Sequence, residues 1–333
     1  MKVKAFTFPL PPERIAARPV EPRDAARLLV VGDGLAHRTV ADLPEMLEPG
    51  DLLVVNNTKV RRARLYGRRA TGGRVEMLFL RDLSPGLHEA LVRANKRLQP
   101  GESLAMEGGV TAVLEERPEA DAIWRVRIDG DLAAALEAAG HVPLPPYIKR
   151  ADEVEDRDRY QTIFARDARS AAAPTAGLHF TPALLERLAE RGVERTEITL
   201  HVGYGTFQPV EAEEVEEHTL HAEEFEVSEE AARAIQERKG RLIAVGTTTT
   251  RVLESLARTG GIRAASGRTD LFLYPGKEFL AIEGLLTNFH LPESSLLMLV
   301  CAFGGTERIL AAYRDALERE YRFYSYGDAM LVL

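Results

Sequence analysis

Between about Arg64 and Ile128 the chain is built of short segments rich in β-branched residues, RVEMLFL, HEALVRA, VTAVLEE and AIWRVRI, cut apart by GG, SPG, QPG and EGG turns. Glycine and proline at that spacing leave no room for a helix. Short strands with unpaired edges are best accommodated by closing on themselves, so the block predicts a small antiparallel β-barrel. It is followed by a short helical stretch, DLAAALEAAG, and by HVPLPPYIKR, whose prolines rule out a central strand and mark an exit from the barrel.

Beyond Ala171 the periodicity changes. TPALLERLAERG reads as a helix with Thr181 as N-cap, Pro182 in the first position, Leu184, Leu185 and Leu188 on one face, and Gly192 at its end. It leads into EITLHV, where Ile198, Leu200 and Val202 share a face. Ser228 caps EEAARAIQERKG, which runs into RLIAV and then RVLESLAR; TERILAAYRDALERE is another helix, and DAMLVL reads as a buried strand. A further buried strand, DLLVVNN, precedes the barrel block. The expectation is an α/β domain made of residues 1–63 and 150–333, with a small antiparallel β-barrel domain, residues 64–149, inserted into it.

With 45% hydrophobic and 28% charged residues in 333, the chain is neither disordered nor fibrous. No apolar run approaches the roughly eighteen residues of a membrane span, and MKVKAFTFPLPPERIA lacks the long apolar segment of a secretory leader, so a cytoplasmic location without membrane attachment is expected. Cys301, the single cysteine, sits in LLMLVCAF and reads as a small buried hydrophobe. A net charge of −8 argues against indiscriminate nucleic-acid binding. Yet from Lys59 to Arg74 there are seven basic residues and no acidic one, and RANKR adds three more, while acid collects in Glu211 to Glu230. The basic run reads either as a face for a polyanion or as the solvated side of barrel strands.

In α/β sheets ligands bind beyond the carboxyl ends of the strands. The segments there are NNTKVRR, HVGYGTF and GTTTTR, with LLTNFHLPESS leading into the helix that holds Cys301. AAAPTAGLHFTPALL adds a fifth polar loop at a helix start, where free N–H groups favour negative or polar ligand atoms. Taken singly, each has a plain structural reading: Gly177 as a turn with His179 as a bonded structural residue, or the four threonines as a strand end plus a cap. None is a standard phosphate loop, since GYGTF lacks a third glycine and GTTTTR lacks GK[ST]. HTLHAE offers His218, His221 and Glu223, but this is not the helical HExxH pattern, and no resident metal is expected.

Taken together and in order, these segments resemble the S-adenosylmethionine:tRNA ribosyltransferase-isomerases of queuosine biosynthesis. The likeness rests on LPPERIAARPVEPRDAARLLV, LLVVNNTKVRRARL, VEMLFL, PLPPYIKR, EDRDRYQTIFA, AAAPTAGLHFTPALL, HVGYGTFQPV, HTLHAEEFEV, AVGTTTTRVLES, GRTDLFLYPG, LLTNFHLPESSLLMLV and YRFYSYGDAML. Two positions depart from the pattern: Ala26, where a serine is common, and RANKR, which a proline-glycine pair often precedes.

The resemblance implies an α/β domain with an inserted barrel. It also implies transfer and isomerisation of the ribosyl part of S-adenosylmethionine onto 7-aminomethyl-7-deazaguanine at the tRNA wobble position, giving epoxyqueuosine with release of adenine and methionine. S-adenosylmethionine is then a consumed substrate and no cofactor is required. The sulfonium acidifies the adjacent 5′ C–H bonds, so a positioned base and a proton donor for adenine are needed, jobs that suit histidine. The expected acid/base groups are His179 and His290, then His201 and His221, with Asp270 or Asp328 meeting the sulfonium or the amine. Asn57, Thr175, Gly177, Gly203, Gly205, Thr206, Gly246, Thr247, Thr248, Thr249 and Asn288 are the expected substrate-binding residues. Lys59, Arg61, Arg62, Arg64, Arg68 and Arg69 are the candidates for tRNA phosphates, and a monomer is expected. Two readings compete: a metal-dependent hydrolase using His218, His221 and Glu223, and a non-enzymatic tRNA-binding adaptor.

Overall fold

The computed structural model describes residues 1–117, 123–203 and 210–333. In chain order, β1 (Arg27–Val31) and β2 (Leu35–Thr39) form a hairpin, followed by the single-turn α1 (Leu43–Met46), β3 (Leu52–Asn56) and β4 (Thr58–Val60). Six strands come next: β5 (Arg64–Arg69), β6 (Arg74–Ser84), β7 (Leu87–Ala94), β8 (Ser103–Met106), β9 (Thr111–Glu116) and β10 (Ile123–Asp129). After α2 (Leu132–Ala139), α3 (Asp156–Arg159) and β11 (Asp167–Ser170), helices and strands alternate: α4 (Pro182–Glu190), β12 (Glu194–Leu200), β13 (Glu223–Val227), α5 (Glu229–Glu237), β14 (Leu242–Val245) and α6 (Thr247–Arg258). The chain continues with β15 (Ala265–Thr269), β16 (Gly284–Asn288), α7 (Ser295–Gly304), α8 (Thr306–Glu318) and β17 (Ala329–Val332).

Two compact units result: residues 1–59, 145–150 and 158–333 in one, residues 60–144 and 151–157 in the other. Side-chain and backbone bonds explain the division at each crossing. Residues 60–63 go with the barrel because Arg62 Nη2 donates to the Glu137 carbonyl and the Phe79 N–H to that of Ala63. Asp152 belongs there too, taking bonds from His141 Nδ1 and the Val142 N–H. The intervening 145–150 is held to the α/β unit by the Tyr147–Ser325 hydroxyl contact at 2.6 Å and by Arg150 Nε donating to the Ala17 carbonyl.

The α/β unit is built on a nine-stranded sheet in the order β15-β13-β12-β3-β14-β16-β17-β1-β2. Its centre, β12-β3-β14-β16, is parallel, so these strands end on the same side. Antiparallel pairs flank it, except that β17 pairs parallel to β1. Alternation along β3 sends Leu52 and Val54 into a core shared with Ala232, Leu253, Val300 and Ile309, and Leu53 and Val55 into a second core with Leu43, Leu184 and Leu188. Cys301 lies in the first core, fully buried, and burial pushes its thiol up to about 12. The expected caps are in place: Thr181 Oγ1 accepts from the Leu184 N–H and Ser228 Oγ from that of Ala231. Among the described residues no single helix is long and apolar enough to cross a membrane.

The second unit contains a closed six-stranded antiparallel barrel, β10-β7-β6-β5-β8-β9, with Leu65, Met77, Val92, Leu104, Leu114 and Val126 turned inward. α2 packs beside the turn at Gly108, whose φ of 76° and closeness to Ala135 exclude a side chain: a Cβ there would lie 2.6 Å from Ala135.

Candidate active site

A cavity of about 240 Å³ opens beyond the carboxyl ends of β14 and β16. Its walls come from Ala172–Ala176, from Gly246–Thr248 at the start of α6, from Thr287–Leu296 between β16 and α7, and from Val202, Val210, Tyr147, Tyr160, Tyr324 and Ser325. Parallel strands put these segments side by side, which is why loops far apart in sequence meet. α6 begins at Gly246 (φ 94°) with no side chain capping it, leaving its first N–H groups to ligand or solvent. Beneath, Asn56 Nδ2 donates to the Leu200 carbonyl at 3.0 Å and approaches Thr248 Oγ1 at 3.4 Å, while its Oδ1 accepts from the Thr58 and Leu200 N–H groups. Among the described wall residues the charged one is Glu293, whose carboxylate accepts from the Thr7 hydroxyl.

His290 lines this cavity, with Nε2 2.9 Å from Thr287 Oγ1 and its backbone N–H donating to the Tyr313 hydroxyl. No hydrogen bond to Nδ1 is present among the described residues. His179 lines a separate small cleft with Arg23, Leu178, Tyr326 and Gly327. Asn288 Nδ2 donates to the Tyr324 carbonyl at 3.1 Å, which can only accept and so sets the orientation of the amide. The same nitrogen lies 3.1 Å from His179 Nε2, making that ring nitrogen the acceptor and placing the proton on Nδ1. Burial lowers His290 to about 3 and His179 to about 4; Asp328 pulls His179 up, Arg322 and Arg23 push it down. Both imidazoles are neutral near pH 7, so neither starts as a proton donor; His179 Nε2 is taken by the Asn288 amide, whereas His290 keeps Nδ1 without a hydrogen bond among the described residues.

These shifts have a thermodynamic sign. In the unfolded chain both rings titrate near 6.5, above their folded values, so acid protonates the unfolded state first. Their contribution is complete above pH 6.5 and is lost as pH falls toward 4 and then 3, on the order of several kcal/mol for the pair. Melting temperature is expected to drop between pH 7 and 4.5, with a shallower drop in His179→Gln/His290→Gln; equal slopes would contradict this origin.

Of the other expected groups, Thr175, Gly246, Thr247, Thr248 and Asn288 line the cavity. Thr249 is turned back, its hydroxyl donating to the Val245 carbonyl. Gly177 lies against Thr162, where a Cβ would come within 2.9 Å, and does not reach the cavity. Asn57 is occupied by Thr199 Oγ1 (2.7 Å) and Glu197, whereas its neighbour Asn56 lies beneath the site. Gly203 donates its N–H to Glu223, and Gly205 and Thr206 lie outside the described residues. His201 is held by Thr58 Oγ1 at 2.8 Å, within a hydroxyl chain that continues to Ser170, and His221 is exposed. Asp270 is exposed; Asp328 is buried and taken by Arg27 and by the backbone and side chain of Arg322. Neither carboxylate is on the cavity wall. Among the described residues, the carboxylate on that wall belongs to Glu293.

The profile of the queuosine biosynthesis proteins matches residues 3–332. The chain belongs to the queuosine biosynthesis protein family. It is similar to the S-adenosylmethionine:tRNA ribosyltransferase-isomerase of Anaeromyxobacter sp. (strain Fw109-5), 55% identical over 100% of this chain and 99% of that one. A protein of the same name from Acidithiobacillus ferrooxidans is 52% identical over 100% of this chain and 98% of its own. The crystal structure of S-adenosylmethionine tRNA ribosyltransferase from Thermotoga maritima is 38% identical and covers 99% of this chain and 100% of its own, with a TM-score of 0.57.

Membership in this family leaves no support for the hydrolase reading, and its donor set does not assemble. Glu223 is buried against Arg251 and accepts from the Gly203 N–H, and the His218 ring packs on Phe272. Among the described residues no three His, Cys, Asp or Glu side chains converge. The basic run is less uniform than its letters suggest. Arg69 makes a two-pronged pair with Glu102, Arg64 lies 3.1 Å from Glu76, Arg62 bonds the Glu137 carbonyl and Arg61 faces Asp82 at 3.9 Å. Lys59 and Arg68 are exposed, and among the described residues Arg68 donates only to the Gly72 carbonyl.

Proposed function

We propose that the chain transfers and isomerises the ribosyl part of S-adenosylmethionine onto 7-aminomethyl-7-deazaguanine at the wobble position of tRNA, releasing adenine and methionine. What carries the reading is a family match along the whole chain, together with a cavity built from the segments that carry the likeness. S-adenosylmethionine is a substrate in this reading and no cofactor takes part. The uncapped start of α6 suits the methionine carboxylate, because among the described wall residues there is no lysine or arginine to receive it. Glu293 suits the sulfonium or the attacking amine. His290, neutral and with Nδ1 unbonded, is the acceptor for the proton lost from the carbon beside sulfur. The chain acts as a cytoplasmic monomer, consistent with exposed large hydrophobics that are scattered along the sequence, such as Leu35, Val154 and Leu280.

The test is to incubate the protein with S-adenosylmethionine and tRNA bearing the deazaguanine, following adenine and the nucleoside mass together. Matched adenine and epoxyqueuosine support the reading; neither product from competent substrates rejects it. The exposed basic residues make a finer expectation. Arg68→Ala should lower the salt slope of tRNA binding by about one unit without changing stability. Arg69→Ala should chiefly destabilise the barrel, leaving Glu102 unpaired. An unchanged slope in Arg68→Ala would remove that residue from the phosphate contacts.

A further inference from the structure

Among the described residues, two wall residues, Asn288 and Tyr324, place a buried polar atom where no hydrogen-bond partner meets it, the carboxamide oxygen of the one and the hydroxyl of the other. Such orphans are rare in folded proteins and are costly unless something completes them. The Asn288 oxygen cannot be exchanged for its nitrogen, because that nitrogen already donates to His179 and to the Tyr324 carbonyl. It therefore waits for a donor. Tyr324, held in the left-handed region at φ 72°, is fixed there by the Phe289 carbonyl, the Gly327 N–H and the Asn288 amide. Glu293, at φ 59°, is a second wall residue in that sparsely used conformation. Non-glycine residues strained in this way persist where the surrounding structure over-determines them, and they gather at ligand sites. The Tyr324 and Tyr147 rings lie with centroids 4.0 Å apart, tilted by 35°, giving the wall an aromatic apolar surface with no lysine or arginine among its described residues.

A phenol that can donate, an amide oxygen that can only accept, and neighbouring aromatic rings without a lysine or arginine among the described wall residues fit a planar, neutral, N–H-bearing heterocycle. They do not fit a carboxylate or a phosphate. We infer that Tyr324 and Asn288 bind the purine base of the nucleoside substrate, the amide oxygen taking a hydrogen bond from its exocyclic amine and the Tyr324 hydroxyl donating to a ring nitrogen. The assignment rests on the ribosyl-transfer reading above and specifies which part of S-adenosylmethionine this wall receives. A hydroxyl donating to the departing base also draws off the negative charge that develops as the bond to ribose breaks.

Tyr324→Phe separates this role from a structural one. The substitution removes a buried hydroxyl that has no partner among the described residues, so the variant should melt at the same temperature as the unaltered chain or higher. Its half-saturating S-adenosylmethionine concentration, measured by adenine release in the presence of substrate tRNA, should rise about tenfold. Independently of any substitution, the unaltered chain should use the 6-oxo analogue, in which hypoxanthine replaces adenine, at least about a hundredfold less well, because the amide oxygen would then face another acceptor. A Tyr324→Phe variant that matches the unaltered chain in saturation, or equal use of both nucleosides, overturns the assignment while leaving the activity intact. Absence of adenine release from the unaltered chain overturns the functional reading, and this assignment with it.

Discussion

Glu223→Ala is expected to destabilise the folded protein by about 3–5 kcal/mol, among the largest losses available from a single substitution here. Glu223 and Arg251 are both buried, their side chains 6% and 7% exposed. Removing the carboxylate leaves the guanidinium, among the described residues, with the Leu271 and Thr269 carbonyls and no counter-ion. It also strips the Gly203 N–H of its acceptor at 2.7 Å. The desolvated charge dominates, because a buried cation without a counter-ion costs more than the lost hydrogen bond. Replacing both partners, as in Glu223→Leu/Arg251→Met, removes charge and counter-charge together and should recover most of the loss. The measurement is thermal unfolding of the three proteins. A single variant melting within about 1 °C of the unaltered chain would mean the pair contributes nothing.

The second large effect concerns rate. His290→Ala is expected to lower single-turnover adenine release by roughly 10²–10⁴. His179→Ala should act more weakly and differently, because His179 meets the cavity only through Asn288 and its removal lets that amide reorient. The expected signature is a loss in kcat for His290 and a loss chiefly in KM for His179. Since burial holds His290 to about 3, its ionisation should leave no inflection in the rate between pH 5 and 9. Equal and parallel losses for the two variants would return both histidines to the same role.

Much of this architecture is visible in the letters. Glycine and proline spacing announces the barrel, Thr181 and Ser228 mark helix starts, and the polar segments after apolar strands meet because parallel strands end together. The site's details are hidden for identifiable reasons. Tyr324 and Glu293 carry positive φ without being glycine, and nothing in their side chains signals it. Asn56 and Asn57 are neighbours at a strand end, and only the pairing of β3 with β12 decides which one lies under Thr248. The run of arginines looks uniformly available until strand register brings Glu76 and the residue before β8, Glu102, against Arg64 and Arg69. His179, beside a well-marked helix start, looked like a group that a helix N-terminus would present. The helix is capped by Thr181 as its sequence indicates, and the histidine before it turns to a separate small cleft.

The sheet order has a consequence for how the protein is made. β17 lies between β16 and β1, so the hairpin of β1 and β2 joins the sheet only through a strand some 301 residues later, the separation spanned by the Arg27–Asp328 bond. On the ribosome, the barrel strands emerge as one contiguous block and can pair as they appear, while β1 waits with an open edge until β17 has been translated. A nascent chain stalled before Ala329 therefore carries two unpaired apolar strand edges, β1 and β16, and is the form of this protein most exposed to aggregation.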